Sequence, residues 1–593
     1  MSMEELQKQT NTNVQEKANL IWNIATHLVG QYKPHEFGRV ILPMTVIKRF
    51  DDSLKDTKAK VLEVAKKLDD SGATGMAREA ILKKASGRDF YNISKFDFEK
   101  LLSDSTNIAE NFIDYLEGFS DNVKDIISYF EFDKEISKMS QNDLLFTIIQ
   151  EFNSKKGDMS PDKVSSQDMG YIFEELVRKF SESYDEQAGA HFTARDIIYL
   201  MAELLIAPEK EEIKAHGCSK TAYDMTMGTS QMLACLDERL HEVNSNSVLK
   251  CFGQEFNPET FAIAKADMLI KGGDAENMKF GDTLSADQFE NYTFDYIISN
   301  PPFGIDWKKE QAAVTKEAKL GFDGRFGPGL PSISDGQMLF LLNGVKKLKE
   351  TGRMAIIQNG SSLFTGDAGS GPSEIRRYLI ENDRLDAIIQ LPTDLFYNTG
   401  IATYIWVVNG KNAKPINRLG KIQLIDASKC FAKRRKSIGN KRVNLDDKCI
   451  ALIIKAYNEF EEKKYTEDDI SVESKVLDDI DFGFTKVTVE TAQVDSSGKK
   501  ILKKGKPVAE KGKTDTETIP LKEDIDEYFK KNVLPYSPNA FMDRSKDKTG
   551  YEIPFTRVFF KFVAPKDSDE VYKEIKELEM NERNLMKELF GNE

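Results

Sequence analysis

The sequence predicts an α/β protein, with a parallel sheet in the middle of the chain preceded by an all-helical region. Two observations carry that reading. From about residue 170 to 410, short β-rich runs alternate with amphipathic helical stretches, the pattern of strands joined by helical crossovers. Before that, apolar residues recur three and four apart, as at Leu20, Ile21, Ile24 and Leu28 and again between Leu101 and Phe152, the period of helices with one buried face. With 593 residues, 40% hydrophobic and 30% charged, the chain is long enough for several folding units, and wholesale disorder, collagen and disulfide scaffolds are excluded.

Taken in order, residues 1–165 form a helical N-terminal domain with no strand-rich stretch. Within residues 166–425 the expected strands are 221–223, 248–252, 278–280, 294–298, 354–357, 387–391 and 403–408. The stretches QMLACLDERLHEV, PETFAIAKADMLI, GQMLFLLNGVKKL and IRRYLIEN supply helices between them. Residues 426–593 are more charged. Here 496–513, SSGKKILKKGKPVAEKGK, reads as an exposed mobile loop or hairpin tip. About 569–591 reads as a terminal helix with Val571, Ile575, Leu578, Leu585 and Leu589 on one seam, interrupted by Glu582.

Lys and Arg number 83 against 97 Asp and Glu, a net charge of −14, which argues against a general cationic coat for nucleic acid but not against local basic patches. Five cysteines with no C-x-x-C pair suggest neither a disulfide framework nor a zinc site. No apolar run approaches the ~18 to 20 residues that span a bilayer, so a cytoplasmic protein with no membrane partner is expected. The stretch GDAGSGP at 366–372 lacks the GK[ST] ending of a phosphate-binding loop and reads as a flexible loop, and no ATP-binding motif is visible in the sequence.

The sharpest chemical feature is Asn300-Pro301-Pro302-Phe303, directly after the apolar run FDYIIS. Two prolines end a strand ladder and fix a rigid turn at its carboxyl end, where open α/β sheets bind ligands. The Asn300 side-chain carbonyl and the Pro301 backbone carbonyl can both accept from one exocyclic NH2 group, while Phe303 offers a face to a planar ring. Two acceptors draw the amine hydrogens out of the ring plane and localise its lone pair for attack. Upstream, Asp224 opens DMTMGTSQ between a strand and a helix, Glu255 ends the second strand where an acidic group meets ribose hydroxyls, and Asp282 follows the third.

With these motifs in order, the chain resembles the modification subunits of type I restriction-modification systems, adenine-N6 DNA methyltransferases that use S-adenosylmethionine. The resemblance covers nearly the whole length: ILPMTVIKRFDD, AGAHFTAR at 188–195, DMTMGTSQML, ISNPPFG, LPTDLFYNTGIATYIWVV, IPLKEDIDEYFKKNVLPYSPNAFMD and GYEIPFTRVFF all match that family's pattern. It implies a Rossmann-like seven-stranded methyltransferase domain between the helical domain and a C-terminal docking region. It implies Asn300, Pro301 and Phe303 as the catalytic and base-stacking set, with Pro302 supporting the turn. Around S-adenosylmethionine it implies His191, Phe192, Thr193, Arg195, Asp224, Gly228, Thr229, Ser230, Gln231, Glu255 and Asp282, and no metal. The implied partners are DNA, a specificity subunit that reads the target, a second copy of this chain and a restriction subunit. The chain departs from the family at Ala190 and Ala194, where Glu and Pro are usual, and at Met225, Met227 and Ser230 in a loop that is usually Asp-Pro-Ala/Thr-Cys-Gly-Thr/Ser-Gly.

Other chemistries fit less well. Cytosine-C5 methylation needs a cysteine nucleophile, normally after proline, and none of the five cysteines follows one. Glutamine N5-methylation of proteins uses a similar turn but leaves the extra length unexplained. A catalytically weakened or inactive scaffold of the same complex is the reading from a different class, prompted by the altered loop.

Overall fold

The computed structural model describes residues 17–183, 193–397, 399–503, 505–562 and 565–591. Two compact units divide the chain, Met1–Ile553 and Pro554–Glu593. The first begins with helices. Helix α1 (Gly38–Leu54) buries Val40, Ile41, Met44, Ile47 and Phe50, around which Phe90, Phe98, Phe112 and Tyr115 pack edge to face. Its polar positions are buried as well: Lys48 lies 2.5 Å from Asp52 one turn on, and Asp52 accepts from the Met159 amide at 2.8 Å, so each buried charge is paired or bonded as a low dielectric demands. After seven further helices between Lys58 and Phe152, helix α2 (Ser166–Ser183) closes the helical region. Helix α3 (Arg195–Ile206) is apolar nearly all round and is buried against the sheet.

The central region alternates β1 (Ser219–Asp224), α4 (Gln231–Val243), β2 (Val248–Glu255), α5 (Pro258–Ile270), β3 (Met278–Phe280), β4 (Phe294–Ser299), α6 (Gln337–Lys347), β5 (Leu348–Asn359), α7 (Gly371–Glu381), β6 (Leu385–Gln390) and β7 (Thr403–Asn409). Each of the seven expected runs falls in or overlaps one of these strands. Their spatial order is β3-β2-β1-β4-β5-β7-β6. All neighbours are parallel except at β7, which runs antiparallel to both β5 and β6. The carboxyl ends of β1 to β6 therefore share one edge, where an open sheet of this kind binds ligands.

The sheet is wider than expected. Strand β8 (Lys421–Lys429) adds in parallel to β6, and beyond a hairpin of β9 (Ala432–Ile438) and β10 (Lys441–Asn444) and helix α8 (Asp447–Glu459) come β11 (Lys463–Glu467) and β12 (Ile470–Asp478). The order β11-β12-β8 completes ten strands. Residues 426–478 thus continue the central sheet. Strands β11 and β12 are antiparallel and partly exposed, so charged residues interrupt their apolar signal.

A smaller sheet follows. Strand β13 (Gly483–Ala492) pairs with β16 (Ala509–Pro520), β17 (Ala540–Met542) and β18 (Lys548–Tyr551), and a separate short hairpin of β14 (Leu502–Lys503) and β15 (Lys506–Pro507) lies between β13 and β16 in the chain. The described residues of the lysine- and glycine-rich 496–513 belong to a turn closed by the Val494–Lys500 bridge, to the β14–β15 hairpin and to the start of β16. Buried Arg376 on α7 ties this sheet to the main body, donating to the carbonyls of Tyr551 at 2.7 Å, Ser362 at 3.0 Å and Thr365 at 2.9 Å. In the second unit, α9 (Ser568–Phe590) is capped by Asp567, which accepts from the Asp569 amide at 2.8 Å. Among the described residues no helix is long and apolar enough to cross a membrane.

Candidate active site

Four parallel strands deliver side chains to one edge. Strand β1 ends on Asp224, fully buried, whose Oδ1 accepts from the Ser299 hydroxyl at the end of β4 (2.7 Å) and from the Thr226 amide (3.1 Å). The Thr226 and Ser299 hydroxyls are themselves 2.9 Å apart. Asp224 Oδ2 is buried with no hydrogen-bond partner among the described residues. Burial pushes the Asp224 carboxyl up to about 7 from the ordinary 3.8, since removal from water disfavours the charged form.

After Asp224 the chain turns through Gly228, at φ 53°, and Ser230, at φ 67°. A left-handed backbone is costly for a residue with a Cβ, by about 1 kcal/mol or more. The tight entry into α4 imposes it here, and in that conformation the Ser230 side chain makes no cap to the helix. The first-turn amides of α4 are therefore without a side-chain acceptor from their own N-cap, the arrangement that suits an anionic ligand group. Thr229, Ser230 and Gln231 are buried. Gln231 accepts through Oε1 from Arg195 Nη2 at 3.1 Å, and the Arg195 guanidinium lies over the ring of Tyr171.

Strand β2 ends on Glu255, also buried. One carboxylate oxygen accepts from the Gly228 amide at 2.9 Å, which joins the ends of β1 and β2. The other accepts from the amides of Phe256 at 3.1 Å and Asn257 at 2.8 Å. Burial raises the Glu255 carboxyl above its usual range, and the three amide bonds oppose that rise. Asn257 then caps α5 by accepting from the amides of Glu259 and Thr260, with Pro258 at the first helical position. Helix α5 is also where the N-terminal helices pack: Tyr129 meets Phe261 edge to face at 4.8 Å, and Lys265 pairs with Asp125 at 2.9 Å.

Asp282 follows β3. Its Oδ1 accepts from the amides of Leu284 and Ser285 at 2.7 and 2.8 Å, which shapes the turn. At the end of β4, Asn300 is buried and its Nδ2 donates to Thr193 Oγ1 at 2.8 Å, joining the segment before α3 to this turn. Pro301 is buried, while Pro302 and Phe303 are half-buried. The chain leaves the turn through Gly304 and is strapped down: Trp307 N donates to the Ile333 carbonyl at 3.0 Å, Trp307 Nε1 to the Ser332 carbonyl at 2.8 Å, and Gly336 N to the Ile305 carbonyl at 3.0 Å.

Direct bonds thus link Thr193 to Asn300, Arg195 to Gln231, and Gly228 to Glu255. Asp282 and Phe303 stand on the same edge, just beyond the ends of β3 and β4. His191 and Phe192 lie outside the described residues. Several supporting residues were not singled out from sequence. Gln254 binds the carbonyls of Gly281 and Ala286 at 3.1 and 2.9 Å, and Thr283 Oγ1 donates to the Met225 carbonyl at 2.5 Å. Arg325 donates to the carbonyls of Thr283 and Leu284 at 2.6 and 3.1 Å while paired with Glu317. A buried glutamine beside Glu255 and a serine before Asn300 were readable as polar groups at strand ends; Arg325, in an aperiodic stretch, carried no signal.

The donor and acceptor set fits S-adenosylmethionine. The buried, unpartnered Asp224 Oδ2 suits an ammonium group, the α4 amides suit a carboxylate, Glu255 suits a diol and Asp282 suits a ring amine.

Residues 164–487 match the family described as N-6 DNA Methylase, and residues 17–152 match that described as HsdM N-terminal domain. The type I restriction enzyme HindI methylase subunit of Haemophilus influenzae is 28% identical over 263 residues, 44% of this chain and 54% of that protein. The MpnII methylase subunit of Mycoplasma pneumoniae is 28% identical over 315 residues, 51% of this chain and 53% of that protein. The chain spans about half the length of these two relatives. Among solved structures, the type I restriction-modification system methyltransferase subunit from Streptococcus thermophilus superposes with a TM-score of 0.60 at 21% identity, covering 79% of this chain and 97% of that one, a likeness of fold.

Proposed function

Because the chain belongs to the N-6 DNA Methylase family, we propose that it methylates the exocyclic N6 of adenine in DNA, as the modification subunit of a type I restriction-modification assembly. The observation that carries this reading is the Asn300-Pro301-Pro302-Phe303 turn at the end of β4, on the same edge as the carboxylates that end β1 and β2. With Nδ2 donating to Thr193, Oδ1 is the acceptor end of the Asn300 amide, and the Pro301 carbonyl is the second acceptor for the adenine NH2. Together they draw both amine hydrogens out of conjugation and direct the nitrogen lone pair, an interaction that strengthens as the bond to carbon forms. Phe303 stacks on the extruded base.

S-adenosylmethionine supplies an electrophilic methyl group on sulfonium, so no covalent enzyme intermediate is needed. Glu255 holds the ribose hydroxyls, Asp282 the adenine amine, and Asp224, Gly228, Thr229, Ser230 and Gln231 surround the methionine portion, with Thr193 and Arg195 completing the wall; the contacts expected of His191 and Phe192 belong to the same cofactor. Target reading falls to a specificity subunit, with a second copy of this chain and a restriction subunit in the full assembly, in the cytoplasm. Helix α9, whose Leu578 and Leu589 are 68% and 73% exposed, is the grip on the specificity subunit, since a helix of this kind gains stability by burying its apolar face.

The test is Asn300→Ala. Transfer of labelled methyl to DNA should fall by orders of magnitude in kcat while S-adenosylmethionine affinity changes less than about threefold, because the lost acceptor acts chiefly in the transition state. Full transfer by the variant overturns the reading.

A further inference from the structure

Residues 427–444 contain seven lysines and arginines and no acidic residue, in a chain of net charge −14. They include the β9–β10 hairpin. Two of the cations are used within the fold. Arg434 donates to Asn444 Oδ1 at 2.7 Å, and Lys441, buried, lies 2.9 Å from both Asp196 Oδ2 and the Leu395 carbonyl. The others, Lys429, Lys433, Arg435, Lys436 and Arg442, are exposed and form no ion pair with a described residue. Like charges this close repel, and among the described residues no carboxylate pairs with them.

The root of the hairpin stands beside the active site. Asp196, which accepts from Lys441 and from the Leu445 amide at 2.9 Å, adjoins Arg195, the partner of Gln231, and is three residues from Thr193, which holds Asn300. Asn440 N donates to the Tyr397 carbonyl and Arg442 N to that of Asp394, each at 2.8 Å, and 391–397 leaves β6 on the same edge as Asn300. We propose that the β9–β10 hairpin is a phosphate clamp, in which Lys433, Arg435 and Lys436 hold the backbone of duplex DNA flanking the adenine presented to Asn300. Phosphate contacts of this kind set register without reading sequence, and a local cationic arm on an acidic protein focuses the polyanion onto one edge. The proposal rests on the DNA methyltransferase reading above.

The test compares two full-length variants of equal charge change: Lys433→Gln/Arg435→Gln/Lys436→Gln, and, as a control, Lys499→Gln/Lys503→Gln/Lys506→Gln, exposed lysines in and just before the β14–β15 hairpin. Each, assembled with the specificity subunit, is titrated against a fluorescein-labelled mixed-sequence duplex over a salt series. Each phosphate contact contributes about 0.9 to the slope of log K against log salt. The β9–β10 variant should therefore lose about 2 to 3 in slope and on the order of tenfold to a hundredfold in affinity, with S-adenosylmethionine affinity unchanged and the control within about 0.5 of wild type in slope. Equal losses in both variants would mean bulk electrostatics and overturn the clamp, as would an unchanged slope in the first. If wild type binds and methylates DNA while the β9–β10 variant is indistinguishable from it, the clamp alone fails. A wild-type assembly of this chain with its specificity subunit that neither binds DNA nor transfers methyl to it overturns the functional reading and the clamp with it.

Discussion

Replacing Glu255 by glutamine keeps the shape of the side chain and removes one acceptor oxygen. The carboxylate accepts from three backbone amides, of Gly228 at 2.9 Å, Phe256 at 3.1 Å and Asn257 at 2.8 Å. In its better orientation, the substituted side chain keeps its oxygen on Phe256 and Asn257 and turns its NH2 group toward the Gly228 amide, donor against donor. One buried amide is then unsatisfied, at a cost of about 1 to 3 kcal/mol. The flipped orientation orphans two. Relief of the burial that raises the Glu255 carboxyl offsets part of this, so the stability change is modest. The loss in cofactor binding is not offset, because a neutral amide replaces the charge-assisted bonds proposed to the ribose hydroxyls, worth about 1.5 to 3 kcal/mol. That predicts S-adenosylmethionine binding weaker by about tenfold to a hundredfold, read by titration calorimetry on protein whose melting is still cooperative. Glu259→Gln, in the first turn of α5, should bind normally. Affinity within about twofold of wild type in the Glu255 variant, or an equal loss in the Glu259 variant, refutes the argument.

Three further outcomes follow from the same geometry. Phe303→Ala should weaken DNA binding by about 1 to 3 kcal/mol through lost base stacking, seen as a raised KM for DNA with S-adenosylmethionine affinity intact; an unchanged KM would remove Phe303 from the base site. Because the folded protein holds the Asp224 proton up to about pH 7 and the unfolded chain releases it near the ordinary 3.8, this carboxyl's contribution to stability is full below about pH 4 and is lost as pH rises through 7. The slope is about 1.4 kcal/mol per pH unit. Asp224→Asn should flatten ligand-free stability across that window, and an unaltered pH profile would contradict the burial argument. Deleting residues from 568 onward should leave S-adenosylmethionine binding intact and abolish co-purification with the specificity subunit; normal assembly of the truncated chain would show α9 to be dispensable.

What could be read from the sequence follows from how each element is buried. Strands β1, β4, β5, β6 and β7 lie inside the sheet, so runs such as FDYIIS and TYIWVV are apolar on both faces and stand out. Strands β11 and β12 carry Lys463, Lys464, Glu473 and Lys475 on partly exposed faces, which hides them from a search for apolar runs and left the sheet expected at seven strands. The Asn300 turn was legible because two prolines punctuate a strand, Asp224 and Glu255 because each ends a run, and Asp282 because it closely follows one. Arg325 was not: it reaches the Thr283 carbonyl across 42 residues, and no local period encodes that meeting. The same holds for Lys441 and Asp196, 245 residues apart, whose bond roots the basic hairpin beside the active site. At Ser230, where the resembled family's loop usually has glycine, the backbone adopts the left-handed conformation without it.

The central claim is that the edge carrying Asn300 methylates adenine N6 in DNA, and product identity tests it most directly. DNA lacking prior methylation is incubated with the full-length protein in its assembly and with methyl-labelled S-adenosylmethionine, then digested to nucleosides and resolved by mass spectrometry. All label is expected in N6-methyldeoxyadenosine with wild type and none with Asn300→Ala. Label in a cytosine product, in protein glutamine, or in N6-methyldeoxyadenosine at equal yield from the Asn300 variant would contradict the account.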